Sequence, residues 1–98
     1  MRERVKVERG SGNVFVDLGF ASDEAHNLLL RSELMMRVAR FVKVSGLTQK
    51  QAAVRLGITQ PRLNDVLKGR IDKFSMDALV NMLAKAGLRV KLTVRKAA

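Results

Sequence analysis

The sequence has no cysteine, no tryptophan and no tyrosine, and its only histidine is His26. Without cysteine the chain cannot form disulfides, thiolate metal sites or a cysteine nucleophile. One histidine leaves most metal sites and acid–base pairs incomplete, so we expect no metal, no cofactor and no enzymatic activity. The longest apolar runs are far shorter than the roughly 20 residues of a membrane span. The charged start, Met1 to Arg4, lacks the apolar stretch of a signal peptide, so we expect a cytoplasmic protein with no membrane partner.

Acidic residues are also scarce, with 9 Asp and Glu against 19 Lys and Arg, which gives a formal net charge of +10. The excess is uneven along the chain. Residues 45–70 carry five basic residues against Asp65 alone, and residues 71–98 carry six basic residues against two acidic ones. Such a charge in a single small domain favours a polyanionic partner, and its position predicts contact with that partner after residue 44.

The 98 residues, 47% of them hydrophobic, are enough for one compact domain. Residues 1–21 are expected to form an N-terminal arm, which either contains short strands around the Gly-rich segment at 10–13 or is mobile. Residues 22–98 are expected to form the folded domain. It begins with a long, broadly apolar and therefore central helix, for which Ser22 is the candidate N-cap and Gly46 the terminator.

Two short helices follow, and each has a recognisable start. Thr48 and Gln51 fit a capping box at the start of the first helix, and Gly57 ends it. Thr59 caps the second helix, with Pro61 in its first turn, where a missing N–H costs nothing. Two short helices joined by a tight turn with glycine have the geometry of a helix-turn-helix.

The second of these helices has the size and chemistry of a reader of the DNA major groove. Its polar residues, among them Gln60 and Arg62, lie away from its apolar stripe. Arginine bonds a guanine edge with two hydrogen bonds, and glutamine does the same for adenine. A fourth helix, capped by Ser75, completes the helical part of the domain.

The C-terminal residues follow a different pattern, with a period of two. Apolar residues alternate with polar ones, which predicts a β-strand; the apolar residues are Leu88, Val90, Leu92 and Val94. A lone strand needs a partner for its backbone groups, either residues 14–18 or the same strand of a second copy. We favour the second copy, so these four residues are expected to form the interface of a homodimer.

Residues 46–63, GLTQKQAAVRLGITQPRL, resemble the XRE/Cro family of helix-turn-helix repressors. Residues 74–79, FSMDAL, and residues 87–90, GLRV, resemble its HigA-like antitoxin branch, as do residues 17–20, DLGF. The resemblance covers about residues 17–94. The expected fold is therefore mainly α, a four- to five-helix bundle of the lambda-repressor-like helix-turn-helix type with a C-terminal β-strand.

The resemblance also implies which residues contact DNA. Those expected to read bases are Gln60, Pro61, Arg62 and Asp65. Pro61 either touches a thymine methyl group or shapes the entry to the helix, and Asp65 either accepts from a cytosine amino group or pairs with Arg62 or Lys68. Gln49 is expected to brace Gln60. The residues expected to contact the DNA backbone are Thr48, Gln49, Lys50, Thr59, Asn64, Lys68 and Arg70.

The function expected from these features is sequence-specific repression of transcription, as the antitoxin of a toxin–antitoxin pair that controls its own operon. The expected partners are double-stranded operator DNA, a second copy of the chain and a cognate toxin. The toxin is expected to contact residues 1–22 and the exposed face of the long helix. Two alternatives remain open: a regulator of this family without a toxin, and a toxin-masking protein for which DNA binding is secondary.

Overall fold

The structure, a computed structural model, describes residues 13–96. They form five α-helices and one short 3₁₀ helix. The α-helices are α1 (Val14–Asp17), α2 (Ser22–Ser45), α3 (Gln49–Leu56), α4 (Gln60–Leu67) and α5 (Met76–Lys85), and the 3₁₀ helix is Ile71–Lys73. The predicted mainly α helix-turn-helix fold is confirmed. No helix within residues 13–96 is long and apolar enough to cross a membrane.

The predicted starts of the short helices are confirmed in atomic detail. The Thr48 hydroxyl accepts from the Gln51 amide at 3.1 Å, while the Gln51 side chain accepts from the Thr48 amide at 3.0 Å. Thr59 caps α4 by accepting from the Arg62 amide, and Ser75 caps α5 by accepting from the Ala78 amide. These bonds satisfy amides that have no partner inside their own helix.

The start of α2 differs from the prediction. Ser22 is its first helical residue, and Ala21 occupies the N-cap position without a side-chain cap. The acidic pair that follows, Asp23 and Glu24, still lies in the first turn, where the helix dipole favours negative charge. The predicted end is confirmed, because Gly46 takes the left-handed conformation with φ 74°.

The strands suggested for the N-terminal arm are wrong for residues 14–17, which form the helix α1. The Asn13 side chain caps this helix by accepting from the Phe15 amide, and it also donates to the Ala25 carbonyl of α2 at 3.0 Å. The rings of Phe15 and Phe20 meet edge to face across the short helix. One hydrogen bond to α2, the contact between the two rings and the helix's own cap thus override the β preference of the valines. Residues 1–12, the rest of the predicted arm, lie outside the described residues.

The core surrounds α2, which packs against all the other helices. Met35 and Val38 of α2 are buried, whereas Met36 is exposed. The other buried members of the core come from α3, α4, α5 and their connections; they are Ala52, Ala53, Leu56, Leu63, Val66, Phe74, Leu79, Met82, Leu83 and Ala86. Arg31 of α2 donates to the carbonyls of Ile71 and Phe74, which ties the 3₁₀ helix to the central helix.

The predicted C-terminal β-strand is wrong, since residues 88–96 contain neither strand nor helix. A strand exists only as part of a hydrogen-bonded ladder. The candidate partner within the chain, residues 14–18, is helical or caps a helix. Among the described residues, the last backbone hydrogen bond of this region runs from the Leu88 amide to the Leu83 carbonyl. The four apolar residues of this segment also differ in burial. Leu88 and Val90 pack against the core, whereas Leu92 and Val94 are 68% and 95% exposed.

Candidate nucleic-acid interface

The turn between α3 and α4 holds the two helices in a helix-turn-helix. Ala52 and Ala53 are fully buried, and their small methyl side chains let the neighbours of α3 pack closely at these two positions. Gly57 ends α3 with φ 73°, a left-handed conformation that favours glycine. A Cβ at residue 57 would also lie 2.5 Å from Cδ of Lys85, whose side chain crosses the turn. The left-handed conformation explains why glycine occupies this position, and the Lys85 side chain fills the space that the glycine leaves.

One face of α4 is anchored in the core, and this determines which residues face outward. Leu63 and Val66 are buried. At 100° per residue, Pro61 and Lys68 lie opposite this buried face, with Asn64 and Asp65 beside them. Gln60 and Arg62 occupy the two flanks of the helix. The two side chains with the strongest base-reading chemistry, Gln60 and Arg62, therefore do not lie on the outermost face of α4.

Arg62 is held on its flank by an aromatic ring. Its guanidinium carbon lies 4.4 Å from the centroid of Phe74, which is itself buried. Such cation–π contacts are worth about 0.5–1 kcal/mol at exposed sites. Its guanidinium makes no hydrogen bond within residues 13–96, so the donors at the edge of the group stay available. No sequence signal indicated this contact, because Phe74 lies beyond the end of α4.

Asp65 has partners that sequence reasoning did not identify. Its carboxylate lies 3.6 Å from Nε of Arg70 and 3.8 Å from Nζ of Lys73. The expected pairing with Arg62 or Lys68 is therefore wrong. One carboxylate placed between two cations leaves this cluster with an excess positive charge. Exposed ion pairs of this kind add little stability, so their main effect is to position the side chains of Arg70 and Lys73 beside α4.

The residues expected to contact the DNA backbone lie on one continuous part of the molecule, the start of α3, α4 and the loop after it. Asn64 is half-buried and the others are exposed; the exposed ones are Thr48, Gln49, Lys50, Thr59, Lys68 and Arg70. Gln49 and Gln60 do not form a hydrogen bond with each other in this structure, so the expected support of Gln60 by Gln49 is not formed.

This surface suits a polyanion for two reasons. Lys50, Lys68 and Arg70 contribute positive charge, and Asp65 is the only acidic residue between positions 45 and 70. The first turns of α3 and α4 contain no acidic residue, so the partial positive charge of these two helix starts is not compensated. Helix starts with free amides are common phosphate contacts in DNA-binding proteins.

Comparison with known proteins agrees with this geometry. Residues 14–95 match the family described as "Helix-turn-helix domain", and the chain belongs to that family. A solved structure of an XRE-family transcriptional regulator superposes with a TM-score of 0.69 and 26% sequence identity, covering 76% of this chain and 83% of that chain. Among curated proteins, no sequence matches this one.

The fold, the surface and these likenesses together support a DNA-binding transcriptional regulator of the XRE type rather than an enzyme. The part of the sequence-based prediction that concerns the helix-turn-helix family is confirmed. The HigA-like branch, the dimer and the toxin partner go beyond these likenesses.

Proposed function

We propose that this protein represses transcription in the cytoplasm by binding an operator in duplex DNA through α3 and α4. The observation that carries the proposal is the pair of capped eight-residue helices, joined through the left-handed Gly57, with their basic residues exposed. In this arrangement α4 enters the major groove and the start of α3 contacts the phosphate backbone.

The proposed base-reading residues have different roles. Gln60 lies on the flank of α4 with an exposed amide and bonds an adenine edge. Arg62 bonds guanine only after its guanidinium leaves the Phe74 ring, so its contact has an additional energetic cost of about 0.5–1 kcal/mol. Pro61 lies on the outermost line and touches a thymine methyl group. Asp65 accepts from a cytosine amino group only if its ion pairs with Arg70 and Lys73 rearrange.

The proposed backbone contacts are the exposed polar residues at the starts of α3 and α4 and around the end of α4. Lys68 lies opposite the buried face of α4, and Arg70 is positioned beside it by Asp65. The full set is Thr48, Gln49, Lys50, Thr59, Asn64, Lys68 and Arg70. Such contacts fix the position of the protein on the duplex and give salt-dependent affinity without sequence preference.

Fluorescence anisotropy with labelled duplexes from the protein's own promoter tests the proposal. If a dimer neutralises about six phosphates, log K falls against log salt with a slope near −5. Lys68→Ala weakens binding to all sequences alike, whereas Arg62→Ala loosens the preference at one base pair by about 1–3 kcal/mol. Lys43→Ala, which removes an exposed charge from α2, is the matched control. Affinity that does not depend on salt contradicts the proposal.

We further propose that the operator is bound by a homodimer, because two half-sites about 34 Å apart require two recognition helices. The apolar side chains of the C-terminal segment supply the contact surface; they are Leu88, Val90, Leu92 and Val94. Leu92 and Val94 project into solvent next to two residues that pack on the core, which supports an interface between copies. Sedimentation tests this with Leu92→Glu, expected to be monomeric, and with Val54→Glu, an exposed apolar control on α3. A dimeric Leu92→Glu protein contradicts the assignment.

The finer proposal is that the protein is an antitoxin. A second surface, separate from the basic one, supports this proposal. It is called the α1 surface and is formed by the exposed side chains of Val14, Val16, Leu18 and Phe20. Residues 13–24 contain three acidic residues and no basic one, and α1 packs mainly on α2, away from α3 and α4. This surface fits a partner with an apolar patch and a basic rim, and we assign the toxin to it. A family regulator without a toxin is the alternative.

Co-expression with the product of the neighbouring gene distinguishes the two. If the protein is an antitoxin, the product of the neighbouring gene arrests growth, and the wild-type protein relieves this arrest. The Leu18→Lys variant fails to relieve the arrest but keeps its affinity for the operator. Leu18 is 69% exposed, so the substitution leaves the core unchanged. Val54→Lys adds the same charge at an exposed apolar position on α3 and is expected to relieve the arrest. A neighbour that is neither toxic nor bound supports the regulator without a toxin.

A further inference from the structure

A cleft lies between the α3–α4 turn and α5, on the flank of the candidate recognition helix. Its lining divides by chemistry into a floor and a rim. The accessible apolar floor is formed by Ile58, Ala78 and Ala84, above the buried Leu56 and Met82. Arg62, Asn81 and Lys85 form a polar, exposed rim. An apolar concavity with a few convergent polar groups is the usual character of a small-molecule site.

The charge of the cleft has one sign. None of its lining residues is acidic, and neither Arg62 nor Lys85 has an ion-pair partner within residues 13–96. Two other cations that follow α4, Arg70 and Lys73, are partly neutralised by Asp65. The rim of the cleft therefore offers two cations to an anion from outside the chain.

Both cations lie against neighbouring groups of the chain, and neither has an ion-pair partner within residues 13–96. The face of the Arg62 guanidinium rests on the Phe74 ring, so the edge that carries its N–H donors remains available. The Lys85 stem crosses the backbone at Gly57, where the missing side chain makes room for it. Holding an arginine fork in place before binding lowers the entropic cost of bidentate contact with a carboxylate or phosphate.

We infer that this cleft binds a small organic anion, with a carboxylate or phosphate at Arg62 and Lys85 and an apolar body over the floor. Arg62 lies in the first turn of α4, so the bound anion fixes it on its flank and adds negative charge beside the recognition helix. Occupancy therefore lowers affinity for DNA. This regulatory part depends on the proposed function, whereas binding of the anion to the free protein does not.

NMR titration of the free protein with phenyl phosphate tests the site. The amides of Gly57, Asn81 and Lys85 are expected to shift and saturate, and Lys85→Gln is expected to weaken binding at least tenfold. Lys43→Gln removes an equal charge from α2 and is expected to bind like the wild type. Benzyl alcohol, which lacks the anion, and inorganic phosphate, which lacks the apolar body, are expected to bind at least tenfold more weakly. Absence of saturation, or equal binding by Lys85→Gln, overturns the inference.

A second measurement separates the free anion from the DNA backbone as the source of phosphate. Phenyl phosphate is expected to lower the affinity of the wild-type protein for promoter duplex, and Lys85→Gln is expected to be insensitive to it. If phenyl phosphate does not bind and Lys85→Gln weakens every duplex equally, Lys85 is a DNA backbone contact and the small-anion site is refuted. If phenyl phosphate binds without changing affinity for DNA, the regulatory part is refuted and the site stands.

Discussion

Replacing Thr48 by alanine removes one of the two hydrogen bonds of the capping box that starts α3, and this loss is expected to lower the free energy of unfolding. The Thr48 hydroxyl is the acceptor for the Gln51 amide, and the Thr48 amide keeps its own bond to the Gln51 side chain. Loss of a threonine N-cap costs about 1 kcal/mol. For a domain of this size that corresponds to a fall in Tm of roughly 4–8 °C. Thr48→Ser keeps the oxygen and is expected to remain close to the wild type.

Urea denaturation followed by circular dichroism measures this free energy of unfolding, and the m-value is expected to stay constant. Gln51→Ala removes the reciprocal bond, which is exposed and is worth about 0.5 kcal/mol. Because the two side chains act on each other's backbone, the double variant is expected to lose less than the sum of the single losses. Strict additivity, or a Thr48→Ala protein as stable as Thr48→Ser, would refute the argument that the box initiates α3.

Three further outcomes are expected from the same denaturation assay. Leu63→Ala empties a fully buried position in α4 and should cost about 2–5 kcal/mol, whereas the half-buried Leu67→Ala should cost less. Arg62→Ala should cost about 0.5–1 kcal/mol through loss of the contact with the Phe74 ring, and an unchanged stability would show that this contact is not formed in solution. Burial raises the pKa of Glu33, while the electrostatic influence of His26 opposes the rise. The folded protein therefore binds this proton more tightly than the unfolded chain, so the contribution of Glu33 to stability increases as pH falls through the raised pKa; Glu33→Gln should remove this increase, and a pH profile unchanged by the substitution would contradict it.

The starts and ends of α3, α4 and α5 follow from the sequence because each depends on residues three or four positions apart. Thr48 with Gln51, Thr59 before Pro61, and Ser75 all satisfy amides of the turn directly after them. Gly57 supplies a backbone conformation that other residues rarely adopt. Local interactions that can be read from the sequence therefore determined the helix-turn-helix. They also determined the position of the basic surface.

Tertiary contacts decided the features that sequence reasoning missed. The valines of α1 favour a strand by themselves, but Asn13 caps a helix there and docks it on Ala25, twelve positions away. The alternating C-terminal segment has the pattern of a strand, yet no ladder forms for it within residues 13–96. A strand's stability lies in hydrogen bonds to another segment, which a one-dimensional pattern does not specify.

The same distinction holds at the candidate interface. That Arg62 and Asp65 are polar and belong to α4 was predictable from their neighbours in sequence. Their partners, Phe74 and Lys73, follow the end of α4 and reach them only because the chain turns back through the 3₁₀ helix. Residue type and helical phase thus determined the chemistry on the surface of α4. The path of the chain after α4 decided which of those side chains have partners within the described residues.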